Sequence, residues 1–293
     1  DELDFTTYNK FRTYLEQHPL NFATSTIEAN LTVFIRFTKF TKIAEIPCCF
    51  DSSDERLKRI KMDQANYVDC YLTWNELQVI AENQGKTDRT ENARRIMLVM
   101  CLSGVHIGDL KTAIEPRLVD VDGVSFYAVD GRRIKNGKPF LSYLPKPAIN
   151  AIADGIRVIS GQKLNPAIKD YLKELYVDNK LNSVVTVSVQ GKDNNAITST
   201  GEKWEFFCSK NCRKTFSTNL ISLGIGEQII MRATGHRRAT QAQGAFLKNY
   251  VHLDHSEAAL QLAVTAEAAL KIRNKTEVAD WYSVSKNALK AVI

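Results

Sequence analysis

The first fifty residues carry hydrophobic positions at helical spacing. Residues 6–19 begin with threonine, a common N-cap residue, and stop at Pro19, which predicts one helix. Residues 24–47 predict a second, longer helix with an apolar stripe on one side and basic residues outside it. The stripe consists of Ile27, Leu31, Phe34 and Ile35, and the basic residues are Arg36, Lys39 and Lys42. The polar segment 51–69 that follows is typical of a linker.

The remaining residues alternate helical and strand patterns. Thr73 and Glu76 have the spacing of a capping box, and an apolar helix over 90–103 ends in a turn at Gly104. Strand-like runs at 124–129 and 140–145 flank Asp-Gly and Asn-Gly turn signals, which predicts a β-hairpin. Four further helices are predicted around residues 148–159, 165–179, 212–223 and 227–234, a second candidate hairpin at 182–207, and a helical tail from Ser256.

These patterns predict an α+β protein, mainly α with small β-hairpins, in two domains. A helical domain spans residues 1–65, with a linker at about 51–69, and a second domain with the helical tail spans 70–293. The chain of 293 residues is long enough for two ordinary domains.

Composition changes this picture in two ways. The six cysteines form no CxxC pair, which argues against a zinc site and favours free thiols in a reducing cytoplasm. There is no apolar run of membrane-spanning length, and the acidic start does not have the pattern of a signal peptide, so we expect a cytoplasmic protein with no membrane partner.

The net charge of +6 is unevenly distributed. Residues 131–150 contain five basic residues and no acidic one, and residues 201–250 contain eight basic and three acidic residues. Such clustering favours a polyanionic partner, although two solvated basic faces would give the same counts.

The basic segments contain residues suited to chemistry on a phosphodiester. A tyrosine phenolate can attack phosphorus and hold the strand covalently, arginine can bind the nonbridging oxygens through two parallel hydrogen bonds, and a lysine or histidine can protonate the leaving oxygen. In chain order the candidates are Lys210 and Arg213, which share a helix face at i, i+3, then His236 and Tyr250. Each of them alone has an ordinary structural explanation, such as a surface ion pair, a helix cap or packing.

The order of these residues resembles the tyrosine recombinase (phage integrase) family over residues 73–255. The family's second motif, H/K-x-x-R-H-T-F-A-T-x-L, resembles "KNCRKTFSTNL" at 210–220, and its third motif, L-G-H, resembles "TGH" ending at His236. Its first motif, T-G-L-R-x-x-E-L, resembles "SGVHIGDL" at 103–110, with His106 in the place of the arginine. Tyr250 is the tyrosine that follows the third motif.

The resemblance implies a role for each matched residue. Tyr250 is the nucleophile that forms a 3′-phosphotyrosyl link, and Arg213 and His236 hold the nonbridging oxygens with Lys210 beside them. The family's hairpin lysine, which protonates the 5′-oxygen, corresponds to Lys135, with Lys138 as second choice. Asp109 braces the turn of the first motif. The implied fold is a helical core-binding domain followed by a tyrosine-recombinase-like catalytic domain.

The chain departs from the family pattern at three places. His106 cannot form the two-pronged charged contact of an arginine, so activity is reduced, pH-dependent or rescued by another cation such as Arg95. The 14 residues from His236 to Tyr250 exceed the family's usual spacing, so the tyrosine acts on its own site or on a neighbouring subunit's. Lys210 replaces the usual histidine, as in type IB topoisomerases.

The resulting hypothesis is a site-specific DNA recombinase, an integrase of a mobile element. The resemblance implies a DNA recombination site and a homotetramer on DNA as partners, a free monomer, a tail helix docking on a neighbour, and no metal or other cofactor. Two alternatives remain, a type IB topoisomerase and a catalytically silent DNA-binding relative. Further contacts to DNA are predicted for Arg36, Lys39, Arg132, Arg133, Lys138, Lys214, Arg237 and Arg238.

Overall fold

The structure is a computed structural model, and it describes part of the chain. The described residues are 4–20, 22, 24–46, 70–112, 115–135, 137–190, 196–235 and 255–272. The chain divides into two compact units, one of Asp1–Asp69 with Val185–Gly201 and one of Cys70–Val184 with Glu202–Ile293. The sequence-based domain boundaries place residues 185–201 with the second domain, whereas in the structure they group with the first unit.

The first unit contains two packed helices, α1 (Phe5–Glu16) and α2 (Thr24–Ile43). Their contact is built from four buried side chains, Tyr8, Leu15, Ile27 and Leu31, with aromatic residues around them. The N-cap of α1 is Asp4 rather than a threonine: its carboxylate accepts a hydrogen bond from the Thr7 N–H at 2.7 Å. The unit also receives most of a two-stranded sheet, β4 (Val184–Gln190) with β5 (Ala196–Glu202).

The second unit is built around one buried helix. This helix, α4 (Asp88–Ser103), packs against four others, and Ile96, Met97, Val99 and Met100 are fully buried. The C-terminal half of this helix, from Ile96 to Ser103, is buried on all sides, which explains why its sequence shows little amphipathic pattern. Its neighbours are α3 (Trp74–Glu82), α5 (Lys146–Ala153), α6 (Gly161–Val177) and α8 (Ser209–Ser222).

A three-stranded antiparallel sheet lies beside the helices of this unit. Its order is β1 (Arg117–Val121), β2 (Val124–Arg132), β3 (Pro139–Tyr143), with Ala128 paired to Tyr143 in the β2–β3 hairpin. The hairpin and the α+β class confirm the sequence-based prediction, but Asp130 and Gly131, which were expected in the turn, lie inside β2 and pair with Leu141 and Phe140. The short edge strand β1 was not predicted; it joins β2 through the Asp122–Gly123 turn, where both residues have positive φ as a type I′ turn requires.

Two helices pack on the sheet, α9 (Glu227–Ala233) and the C-terminal α10 (His255–Ile272). The tail helix was predicted to dock on a neighbouring subunit. Instead, its apolar residues Ala258, Ala259, Leu262, Ala263 and Ala266 are buried, and the helix packs against β3 and α9 of its own unit. None of the helices in the described ranges is long and apolar enough to cross a membrane.

Local predictions near the second hairpin needed one correction. The strand pattern was extended to Phe207, but β5 ends at Glu202 and residues Lys203–Phe206 form the short helix α7. The reason is a capping box in which Glu202 and Glu205 satisfy each other's N–H groups. The capping box predicted at Thr73 and Glu76 is present as expected.

Candidate functional site

Three separate sequence segments meet at Gly104. The helix α4 ends there with Gly104 in the left-handed conformation at φ 68°, as a helix C-cap favours. A Cβ on Gly104 would lie 2.5 Å from Phe216 Cδ1 and 2.8 Å from Thr234 Cγ2. The close approach packs residues of the first, second and third motif against one another.

Strand β3 is attached to the end of α4 by a hydrogen bond from Ser142 to Ser103. Ser142 Oγ donates to the Ser103 carbonyl at 2.6 Å, and Ser103 Oγ donates to the Val99 carbonyl at 2.6 Å. Both serines are fully buried. The carbonyl at the end of α4 is thus satisfied by the sheet, and the β2–β3 hairpin is held beside the first motif.

Asp109 joins the first motif to the tip of the hairpin. Its buried carboxylate accepts a hydrogen bond from the Ile134 N–H at 2.9 Å through Oδ1, and its Oδ2 lies 3.4 Å from Arg133 Nε. The Asp109 N–H donates to the His106 carbonyl at 2.8 Å. Asp109 therefore positions the hairpin tip as well as its own turn, which is more than the sequence predicted.

Arg213 projects from α8 toward the end of α9. Its Nη2 donates to the Thr234 carbonyl at 2.6 Å, and its buried Nε has no hydrogen-bond acceptor among the described residues. Burial lowers the pKa of Arg213 to about 10, with a further contribution from the nearby Arg133 that the Asp109 carboxylate opposes. Arg213 remains charged at neutral pH, and its charge is incompletely compensated.

Arg133 lies near Arg213 and Asp109, and these three side chains form a cluster that the sequence did not predict. The sequence placed it among residues that contact DNA generally. Its side chain is only 10% exposed, its Nε is buried without a hydrogen-bond acceptor in the described ranges, and a Cβ on Gly235 would lie 3.0 Å from Arg133 Cδ. The only signal in the sequence was the position of Arg133 two residues before Lys135 in the hairpin turn.

His106 is exposed at the edge of the cluster. Its Nδ1 accepts a hydrogen bond from the Gly108 N–H at 3.1 Å, which leaves the proton of the neutral ring on Nε2. Desolvation of the ring lowers the pKa of His106, with further lowering by Arg213, Arg133 and Lys135 and an opposing effect of Asp109. The lowered pKa favours the neutral imidazole, which does not replace the charge of an arginine.

Arg95 does not supply the missing cation. Its Nε donates to Glu91 at 2.8 Å and its Nη1 donates to the Asp154 and Gly155 carbonyls at 2.5 and 3.0 Å. These bonds hold the guanidinium against α5, two turns of α4 away from Ser103. The suggestion that Arg95 rescues the substitution at position 106 is wrong.

The other predicted residues divide into three groups. Lys135 and Lys138 are exposed on the β2–β3 turn beside Arg132, and Lys135 is close enough to affect His106. On α8, Lys210 is exposed and Lys214 is half-buried, and in the first unit Arg36 and Lys39 are exposed on α2. His236, Arg237, Arg238 and Tyr250 lie outside the described residues.

Within the described part of the chain, no group of three His, Cys, Asp or Glu side chains is placed to hold a metal ion. The cluster instead presents guanidinium and ammonium groups, whose natural ligand is an anion such as a phosphate.

Comparison with models of known protein families gives no match, and a search of curated protein sequences gives none either.

Proposed function

We propose that the protein is a site-specific DNA recombinase of the tyrosine type, which cuts and rejoins DNA strands through a 3′-phosphotyrosyl intermediate during integration or excision of a mobile element. One observation carries the proposal. Arg213 is bonded to Thr234, directly before Gly235 and His236, and the hairpin that carries Arg133 and Lys135 is tied to the first motif by Asp109.

The electrostatics of the cluster supports an anionic ligand. Two guanidinium groups lie close enough for Arg133 to lower the pKa of Arg213, and the buried Nε of each lacks a hydrogen-bond acceptor among the described residues. Burying incompletely paired charges opposes folding, so a protein that does so benefits when a doubly hydrogen-bonded anion binds. The phosphate of a DNA strand is such an anion.

The proposed steps follow from the chemistry of phosphoryl transfer. The Tyr250 phenol loses its proton to solvent, and its oxygen attacks phosphorus, forming a 3′-phosphotyrosyl bond as the bond to the 5′-oxygen breaks. Lys135 donates the proton that the leaving 5′-oxygen needs, while Arg213 and His236 stabilise the charge on the nonbridging oxygens, with Lys210 beside them. Attack by a 5′-hydroxyl of the partner strand reverses these changes and rejoins the DNA.

Binding of duplex DNA is proposed to use basic residues on each unit. On the second unit these are the exposed Arg132 and Lys138 and the half-buried Lys214, and on the first unit the exposed Arg36 and Lys39. Strand exchange requires four subunits on two sites, so we propose a homotetramer on DNA and a monomer in its absence.

The neutral His106 favours one second candidate, a DNA-binding relative without strand cleavage. Such a protein would keep the basic surface and the fold while lacking a residue that the reaction uses. Binding alone does not separate the two candidates, but formation of a covalent adduct does.

The test uses duplexes tiled across the genomic DNA that flanks the gene, each with a nick that prevents religation. The wild-type chain is expected to form a covalent protein–DNA adduct with at least one duplex, and Tyr250→Phe is expected to form none. Tyr127→Phe is the matched control, because Tyr127 is an exposed tyrosine on β2 outside the cluster, and it should form the adduct normally.

Three results would contradict the proposal. An adduct that persists in Tyr250→Phe would show a different nucleophile. Tight binding with no adduct on any duplex would favour the silent relative. Relaxation of supercoiled DNA without exchange between sites would favour a type IB topoisomerase.

A further inference from the structure

We propose that Arg133 supplies the second guanidinium that binds the scissile phosphate, the contact for which His106 is unsuited. The inference rests on the proposed function and names one further residue of the same site. In this arrangement the cation comes from the β2–β3 hairpin instead of the turn that follows α4.

The first argument is the burial of Arg133. Its side chain is 10% exposed although it stands on a hairpin turn, where a long basic side chain would ordinarily extend into water. The adjacent Arg132 behaves in that ordinary way, being exposed with its Nη1 donating to the Gly137 carbonyl at 3.2 Å. The side chain of Arg132 thus extends into solvent, whereas the side chain of Arg133 is directed into the protein.

The second argument is the way in which Arg133 is held. The Arg133 N–H donates to the Lys138 carbonyl at 2.8 Å, which closes the turn and fixes the start of the side chain. Asp109 Oδ2 lies 3.4 Å from Arg133 Nε, an ion-pair distance outside hydrogen-bond geometry, while Asp109 Oδ1 is engaged by the Ile134 N–H. Asp109 therefore orients the guanidinium without occupying its Nε donor.

The third argument is the packing of the aliphatic part of Arg133 on Gly235. Gly235 has φ 62°, and a Cβ there would lie 3.0 Å from Arg133 Cδ and 3.1 Å from the Pro139 carbonyl oxygen. Glycine therefore leaves the space that the arginine crosses. The residue after Gly235 is His236, so Arg133 lies beside the segment that carries the third motif.

The fourth argument is the charge distribution. Arg133 and Arg213 contribute two guanidinium groups to one buried cluster, and Asp109 is the carboxylate that acts on Arg213 there. The charges of Arg213 and Arg133 also lower the pKa of His106 and favour its neutral ring. A phosphate bound between the two arginines would offset their repulsion, with each guanidinium donating to a nonbridging oxygen.

A structural ion pair between Arg133 and Asp109 is the competing explanation, so the test measures properties that such a pair does not affect. The first measurement is the thermal unfolding of the free protein in inorganic phosphate compared with chloride at equal ionic strength. Phosphate should raise the unfolding temperature of the wild-type chain and of Arg117→Gln, a control arginine that is exposed on β1. Arg133→Gln should lose this stabilisation.

The second measurement is the rate of covalent adduct formation on a phosphodiester and on a methylphosphonate, which lacks the negative charge. On the phosphodiester, Arg133→Gln should react about 10²–10³-fold more slowly than wild type, the usual effect of removing one donor to a developing oxyanion. On the methylphosphonate the two proteins should differ by less than about tenfold, because the charge that Arg133 neutralises is absent. Adding His106→Arg to Arg133→Gln should restore part of the rate on the phosphodiester.

The outcomes separate the two hypotheses. Equal losses on both substrates, or a wild-type rate in Arg133→Gln, would overturn the role of Arg133 while leaving the recombinase intact. A third outcome is that phosphate stabilises the protein only when Arg133 is present, while the wild-type chain forms no adduct on any duplex. This outcome would support an anion site at Arg133 and overturn the recombinase function. Phosphate stabilisation that is unchanged in Arg133→Gln would overturn the inference without reference to cleavage.

Discussion

The ring of Phe216 occupies the space in which Gly104 has no side chain. A Cβ on Gly104 would lie 2.5 Å from the ring, and φ at Gly104 is 68°. The glycine of the first motif and the phenylalanine of the second are thus a packing pair, and the arginine of the second motif is placed by that packing three residues before Phe216.

Gly104→Ala should destabilise the protein strongly. Overpacking against the Phe216 ring costs about 1–3 kcal/mol, and placing alanine at positive φ adds about 1 kcal/mol. Gly123→Ala is the matched control, because Gly123 has φ 78° but open space around a Cβ, so only the backbone contribution applies. Urea unfolding of both variants measures the difference, and equal losses would contradict the packing.

Arg213→Met should not lower the free energy of unfolding appreciably, although it should abolish cleavage. The half-buried guanidinium is incompletely paired, so its replacement by an apolar side chain is expected to change stability by less than about 1 kcal/mol or to increase it. Arg94→Met is the comparison, since Arg94 is buried with Nε and Nη2 bonded to Glu91 at 2.8 and 2.7 Å. Breaking that pair should cost about 3–5 kcal/mol. A large loss in Arg213→Met would show that its role is structural.

Glu91 should make stability depend on pH in the acid range. Burial alone would raise the pKa of Glu91, but hydrogen bonds from Arg94, Gly85 and Arg95 outweigh it and lower the pKa from 4.5 to about 2. Because the folded state holds the carboxylate deprotonated, the stabilisation is complete above the unfolded pKa and is lost as pH falls toward 2.

Glu91→Gln should therefore be less stable than wild type at pH 7, and the difference should shrink between about pH 5 and pH 2. Chemical unfolding across this range measures it. Glu82→Gln is the control, since Glu82 is exposed and accepts one hydrogen bond from Gln78. A difference between Glu91→Gln and wild type that is independent of pH would rule out the ion cluster as its cause.

The basic hairpin turn should determine part of the salt dependence of DNA binding. Each phosphate contact contributes about 0.9 to the slope of log K against log salt concentration. The double variant Arg132→Gln with Lys138→Gln should reduce the slope by up to about 1.8, measured by fluorescence anisotropy on duplex DNA. Lys180→Gln, an exposed lysine following α6, should leave the slope unchanged. An unchanged slope in the double variant would place the DNA elsewhere.

Elements with local signals were predictable from the sequence. The capping box at Thr73 and Glu76, the end of α4 at Gly104 and the β2–β3 hairpin are all encoded within a few residues, because caps and turns depend on local backbone hydrogen bonds and on φ. The short strand β1 was missed although the Asp122–Gly123 turn signal follows it, because its mostly exposed side chains show little strand pattern and its pairing with β2 makes the segment a strand.

The candidate site was likewise predictable from the sequence only in part. The order of Lys210, Arg213, His236 and Tyr250 and the substitution at His106 are properties of the sequence, and they led to the recombinase hypothesis. Which cations surround Arg213 depends on contacts between residues far apart in the chain, such as Asp109 with Ile134 and Arg213 with Thr234. Arg95 was therefore chosen wrongly, and Arg133 emerged only with the fold.

The sequence by itself determined most of the helices, the main hairpin, the basic character of two segments and the types of residue available for chemistry, because these follow from local propensity and composition. Only the tertiary structure decided that Arg133 turns inward while Arg132 remains in water, and that the tail helix packs on its own sheet. The physical reason is that the direction of a side chain is set by burial and charge partners from distant segments, and the spacing along one strand does not contain that information.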